Sequence, residues 1–215
     1  MEKFIQYTPQ EIFNILQINQ SIWSSLDNEV DVSLVKKEDS IFDWRDMNDL
    51  VGWIELSKFQ NEVFNLSLSR NEWLGAVSPE SEKTVWQLCE FIAGHAKKEI
   101  IQPIRIFGKE CFSAAIFFSL KRDLSKWGLD VKDVRPSSPI SLFTDFENFP
   151  KLVAVVSRRG ISISDSIELK DKKGLSFLQK INFLSSNKYI DTGTVKTFRD
   201  LTIRILNKSD EYCHS

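Results

Sequence analysis

Lys151-Leu152-Val153-Ala154-Val155-Val156 is the stretch whose reading decides the fold class. It is short, uninterrupted by charge after its lysine, rich in valine, and closed by Arg158-Arg159-Gly160. Such a compact β-branched run bounded by a turn predicts a buried strand. Ile161, Ile163 and Ile167 recur beyond the turn and predict extended chain there.

Around this expected strand lie helix signals. Thr8-Pro9-Gln10-Glu11 offers an N-cap hydroxyl, proline at the first helical position, and a glutamate three residues after the cap. Ile12, Ile15, Leu16, Asn19, Ile22 and Trp23 follow at helical spacing, predicting a helix to about Ser25. Further helices are predicted over 43–60, from Ser78-Pro79-Glu80 through Ala96, over 113–127, and over 174–185 and 194–207. Strands are predicted over Asp31–Val35, Phe64–Leu68, Ile104–Ile106 and Asp130–Val134.

Helices and strands thus alternate along the whole length. The expected fold class is α+β (mixed α/β), with amphipathic helices packed on a mostly antiparallel or mixed sheet. The 215 residues suit a single globular domain, and no internal repeat is evident by eye. Sixteen Phe, six Trp and three Tyr can fill a substantial core. The first residues lack the basic patch and apolar block of a signal peptide, and no apolar run nears the ~20 residues of a membrane span. A cytoplasmic location is expected, with no membrane association.

The net charge of −2 is a cancellation. Residues 1–80 hold 14 Asp/Glu against 6 Lys/Arg, whereas residues 81–215 hold 16 against 22. An acidic N-terminal subdomain over 1–75 and a basic main part over 76–215 are therefore expected, and this polarity bears on partners.

Catalytic chemistry is constrained by scarcity. The chain has two histidines, His95 and His214, and three cysteines, Cys89, Cys111 and Cys213, with no CxxC pair. In Trp86–Ala96 (WQLCEFIAGHA) Cys89 and His95 stand six apart, about 120° around a helix, so they do not face each other. Cys89 is expected in the core with His95 at its edge. Ser-His-Asp and Cys-His catalysis and histidine-rich metal sites are disfavoured, and no metal or cofactor is expected. No GxGxxG or GxxxxGK[ST] occurs. Asp145 and Glu147 are read as solvated loop carboxylates rather than paired catalytic acids.

Two surfaces remain. On the helix expected over 43–60, Met47, Leu50, Val51 and Ile54 form one stripe, with Asp46, Asp49 and Trp53 on the opposite face. An indole among carboxylates suits recognition of a basic protein, since Trp is enriched at binding hot spots and carboxylates steer a cationic partner. Arg135, Arg158 and Arg159, with the lysines of 170–173, form an alternative basic surface for nucleic acid. The expectation is a non-enzymatic protein-binding domain of inhibitor, immunity or regulatory type, acting on a basic partner. An enzyme using carboxylate, Arg or Lys chemistry, or a nucleic-acid-binding factor, is the alternative.

Overall fold

A computed structural model describes residues 3–26, 33–48, 50–171 and 188–213. The fold is α+β, and among the described residues the strands form three separate antiparallel pairs. Contacts divide the chain into two units. Unit 1 takes the described residues of Met1–Ser24, Glu29–Gln102 and Ser157–Ile161. Unit 2 takes those of Ser25–Asn28, Pro103–Val156 and Ser162–Ser215.

In unit 1, β1 (Lys3–Gln6) pairs with β2 (Lys97–Ile100) in the register Lys3↔Ile100 to Gln6↔Lys97. Helix α1 (Pro9–Leu26) starts as its signature predicts. Thr8 Oγ1 accepts the Glu11 N–H, and the Glu11 carboxylate accepts the Thr8 N–H at 2.9 Å. Gln20, buried on the inner face of α1, donates to the Ser33 carbonyl and accepts the Val35 N–H at 2.7 Å. Its side chain thereby supplies bonds that a neighbouring strand would otherwise give. The strand expected here is not formed over Ser33–Val35, and Asp31 and Val32 lie outside the described residues.

The helix expected over 43–60 is two helices, α2 (Ile41–Met47) and α3 (Trp53–Phe64). Asn48 Nδ2 donates to the Trp44 carbonyl, the Leu50 N–H turns back to the Arg45 carbonyl, and Gly52 serves as the N-cap of α3. The strand expected over Phe64–Leu68 is a helix exit: Asn65 adopts φ 52°, ψ 51°, and Asn61 Nδ2 holds the Leu68 carbonyl at 2.8 Å. Asparagine is among the few non-glycine residues that take this conformation readily. Helix α4 (Arg70–Val77) follows behind a Ser69/Glu72 capping box. Helix α5 (Val85–His95) begins at a Thr84/Gln87 capping box, not at Ser78-Pro79.

Unit 2 opens with the hairpin β3 (Ile104–Ile106) and β4 (Lys109–Cys111), followed by α6 (Phe112–Lys126). Residues 130–134 form no strand, although Val131 and Val134 are buried. The decisive stretch Lys151–Val156 lies in a helix, α7 (Phe149–Ser157). Leu152 through Val156 are all buried, and a continuous apolar run suits a helix enclosed on every side as well as a strand. The flanks settle the choice. Asp145 gathers the N–H groups of Glu147 and Asn148, Pro150 sits in the first turn where it costs no helical bond, and Gly160 at φ +73° closes the exit. Ile161, Ile163 and Ile167 are buried without regular pairing. Strands β5 (Glu168–Asp171) and β6 (Lys188–Asp191) pair beyond them, and α8 (Phe198–Cys213) ends the unit. The helix expected over 174–185 lies outside the described residues.

The two units share an internal plan that the residue pattern does not reveal. In unit 1 an isolated bridge joins Ser40 to Thr84, and in unit 2 an isolated bridge joins Pro139 to Thr197. The flanking bonds match one for one. Ile41 N–H donates to the Lys83 carbonyl at 2.8 Å, and Ile140 N–H to the Lys196 carbonyl at 2.9 Å. Val85 N–H donates to Asp39, and Phe198 N–H to Ser138; Trp86 N–H donates to Lys37, and Arg199 N–H to Pro136. Both bridged threonines cap a helix, Thr84 with Gln87 and Thr197 with Asp200. Both helices then bury the same positions: Val85, Leu88, Cys89 and Ile92 in one, Phe198, Leu201, Thr202 and Ile205 in the other. Each unit also buries an isoleucine just after its bridge, Ile41 or Ile140, and an aromatic residue opening its next long helix, Trp53 or Phe149. The same local plan of bridge, capped helix and buried positions therefore occurs in both units.

Candidate protein-interaction face

The break between α2 and α3 turns the expected helical wheel around. Ser40 caps α2 by accepting the Asp43 N–H at 3.0 Å, and Ile41 and Trp44 point into unit 1. Trp53, as the first residue of α3, turns inward as well and is only 8% exposed. Its ring stacks on Trp73 with centroids 6.4 Å apart and planes 22° apart. Trp73 meets Phe91 edge-on at 5.3 Å and donates its indole N–H to Asn61 Oδ1. The geometry expected of Trp53 is therefore corrected: it belongs to an aromatic row inside unit 1, and the exposed stripe is the apolar one. Phe42 is 54% exposed, Met47 40%, Val51 57% and Ile54 42%.

Asp43 and Asp46 are exposed beside these apolar side chains, whereas Asp49 lies outside the described residues. Arg45 is half-buried; its guanidinium binds the Glu80 carboxylate at 2.5 Å and lies 5.7 Å from the Trp53 ring centre. The Phe42 N–H donates to the Glu80 carbonyl. Phe42, Arg45, Asp46, Leu50 and Glu80 line a cleft of about 140 Å³. It combines the Phe42 and Leu50 side chains with the Arg45–Glu80 ion pair and the Asp46 carboxylate, and so suits a side chain that is itself apolar with a cationic end or neighbour near Asp46. Sequence reasoning missed Phe42 and Glu80. The Asn48–Gly52 stretch, with Asn, Asp and Gly in one short run, was the available signal for a helix break.

The other candidates have structural employment. Cys89 is fully buried, and burial pushes its thiol up to about 12. His95 lies exposed at the end of α5 with its ring 5.0 Å from Phe91. Cys111 is the N-cap residue of α6, and hydrogen bonding from Ser113 and the Ala114 N–H lowers its thiol pKa. Asp145 sits in the loop that leads into α7, where it accepts from the Asn148 side chain and from backbone N–H groups. Against some desolvation, these bonds keep its carboxyl below the usual carboxylate range.

Among the basic candidates, Arg158 and Arg159 belong to unit 1 and Arg135 to unit 2. Arg158 donates to the Val63 carbonyl, and its own carbonyl accepts the Tyr7 hydroxyl at 2.9 Å. Arg135 is exposed, with its N–H bonded to Ser138 Oγ. Asp191 is held between the ammonium groups of Lys170, at 2.6 Å, and Lys196, and its carboxyl is depressed to about 2. Among the described residues no group of three His, Cys, Asp or Glu side chains is placed to hold a metal ion, and no helix is long and apolar enough to cross a membrane. In comparisons with protein-family models, curated proteins and solved structures, the chain matches none.

Proposed function

We propose that the chain is a protein-binding module whose first unit docks a basic, apolar segment of a partner on α2 and the start of α3, with an inhibitory or regulatory role. The observation that supports this reading most is the exposure of Phe42, Met47, Val51 and Ile54 beside Asp43, Asp46 and the Glu80-lined cleft. Apolar area next to like charges suits the interior and rim of an interface. Burying a large apolar side chain completely is worth about 1.5–3 kcal/mol, so four roughly half-exposed ones offer several kcal/mol in all. The carboxylates add attraction and orientation for a cationic partner, and this part weakens with salt. Asp46, exposed at the end of α2, belongs to this proposed surface, and Trp53 supports it from beneath.

A synthetic amphipathic helix built from leucine and lysine tests this reading by fluorescence anisotropy. Phe42→Ser combined with Asp46→Lys is expected to weaken binding at least tenfold and flatten its salt dependence, with the unfolding midpoint little changed. Equal binding by the wild type and this variant refutes the surface.

A further inference from the structure

The second unit repeats a surface as well as a backbone. Between its post-bridge isoleucine and the aromatic residue that opens the next long helix, unit 1 carries residues 42–52 and unit 2 carries residues 141–148. The first segment has Asp43, Asp46 and Asp49 against Arg45, and the second has Asp145 and Glu147, so each has a net charge of −2 along its own residues; Lys151, one turn beyond the second segment, approaches Glu147 at 3.8 Å. Each also turns large apolar side chains outward. Leu142 and Phe146 in unit 2 are both 53% exposed, close to the exposure of Phe42 and Met47 in unit 1. The inward positions are occupied by Ile140, Phe143 and Phe149, all buried, so Leu142 and Phe146 are not needed to close the core. Counting from the bridged residues, Asp46 and Met47 correspond to Asp145 and Phe146, so an exposed carboxylate followed by an exposed apolar side chain recurs at the same place in both units, while Leu142 corresponds to Asp43.

We propose that residues 141–148 form a second docking segment of the same kind, so that one chain binds two copies of a basic, apolar protein segment. This rests on the reading of unit 1 as a docking face and extends it to stoichiometry.

Isothermal titration with the leucine–lysine helix tests both parts separately. The wild type is expected to bind two peptides per chain. Leu142→Ser with Phe146→Ser leaves one site, Phe42→Ser with Met47→Ser leaves one, and the four changes together leave none. These side chains are roughly half-exposed, so thermal midpoints should stay close to wild type; Glu147→Lys and Asp46→Lys read out the same two sites by charge, with Asp145 left in place to cap the start of α7. One peptide per chain, lost only through Phe42 and Met47, overturns the second site and leaves the first reading standing. Binding unaffected by either pair overturns both. A serine–lysine peptide of equal charge that binds as tightly also overturns the proposal, because it removes the role of the apolar side chains.

Discussion

Gly193 offers the sharpest test of the packing in unit 2. It lies between β6 and α8, with φ +57°. A Cβ added there would stand 2.2 Å from Ser166 Oγ, 2.8 Å from the Ser166 carbonyl oxygen and 3.1 Å from Ser164 Oγ. Gly160 also has positive φ, +73°, yet an added Cβ there would meet no heavy atom within 4 Å. Comparing alanine at the two positions separates the cost of backbone conformation from the cost of overlap.

Left-handed backbone costs an L-residue about 1–2 kcal/mol, and this is all that Gly160→Ala should show. Gly193→Ala incurs that term plus an overpacking term of about 1–3 kcal/mol. The serine hydroxyl can rotate away, but the carbonyl belongs to the backbone and moves only with its segment. At roughly 2–4 °C per kcal/mol for a chain of this size, the midpoint falls by about 2–8 °C for Gly160→Ala and clearly further for Gly193→Ala. Urea unfolding at constant pH gives the same comparison as a free energy. Ser166→Ala added to Gly193→Ala removes the 2.2 Å overlap and leaves the 2.8 Å one, so part of the loss returns. If Gly193→Ala is no more damaging than Gly160→Ala, the close approach of the β6–α8 loop to Ser164–Ser166 is wrong.

The remaining predictions concern thiols, the aromatic row, acid sensitivity and the duplicated core. Peptide-level mass spectrometry after brief alkylation of native protein should find Cys111 modified well ahead of Cys89, since burial both raises the Cys89 thiol pKa and blocks access; rapid native labelling of Cys89 would refute its placement. Trp53→Ala should cost about 3–5 kcal/mol in urea unfolding, as expected for a buried, stacked aromatic; loss of peptide binding with unchanged stability would return Trp53 to the surface. The Asp191 carboxyl has its folded-state pKa depressed to about 2 by hydrogen bonds from Lys170 and Lys196. Its contribution is therefore complete above the unfolded value of ~3.9 and is lost as pH falls toward 2. The stability advantage of wild type over Asp191→Asn should accordingly be flat above about pH 5 and disappear between pH 4 and 2, and an advantage growing with acidity would have the wrong sign. Ile41→Ala and Ile140→Ala should each cost about 2–5 kcal/mol, as equivalent residues would; a negligible effect of either breaks the equivalence of the two units.

What the sequence disclosed about fold and site follows from how local each signal is. The start of α1 was legible because Thr8, Pro9 and Glu11 carry the whole capping geometry within four positions. The burial of Cys89 was legible because the spacing of Val85, Leu88 and Ile92 fixes a helical face. Lys151–Val156 was not, because a fully enclosed apolar run has no wet face from which to read a period. The exposure expected of Trp53 was misread for a related reason. Asp46 and Trp53 share a face only if one helix runs through Asn48–Gly52, and the break there reverses which side is buried.

The duplication was least legible of all, because what is repeated is mainly hydrogen bonding between backbone groups distant in sequence. Ser40–Thr84 and Pro139–Thr197 are joined by equivalent bonds although serine in one stands for proline in the other. Either residue fits, since the bonds are made by the flanking N–H groups of Ile41 and Ile140 and by carbonyls that every residue carries. Buried positions keep only size and apolar character, as Val85 against Phe198 and Cys89 against Thr202 show. In the latter pair the threonine hydroxyl is tolerated because it donates to the Phe198 carbonyl of its own helix. Constraints that act on class rather than identity leave little for direct comparison of residues. The outward apolar side chains of segments 42–52 and 141–148 are different in kind: Asp145 and Asp43 also serve the starts of their helices, but no core contact obliges Phe42, Met47, Leu142 or Phe146 to be large and apolar, so their presence in both units is the stronger argument that both face a partner.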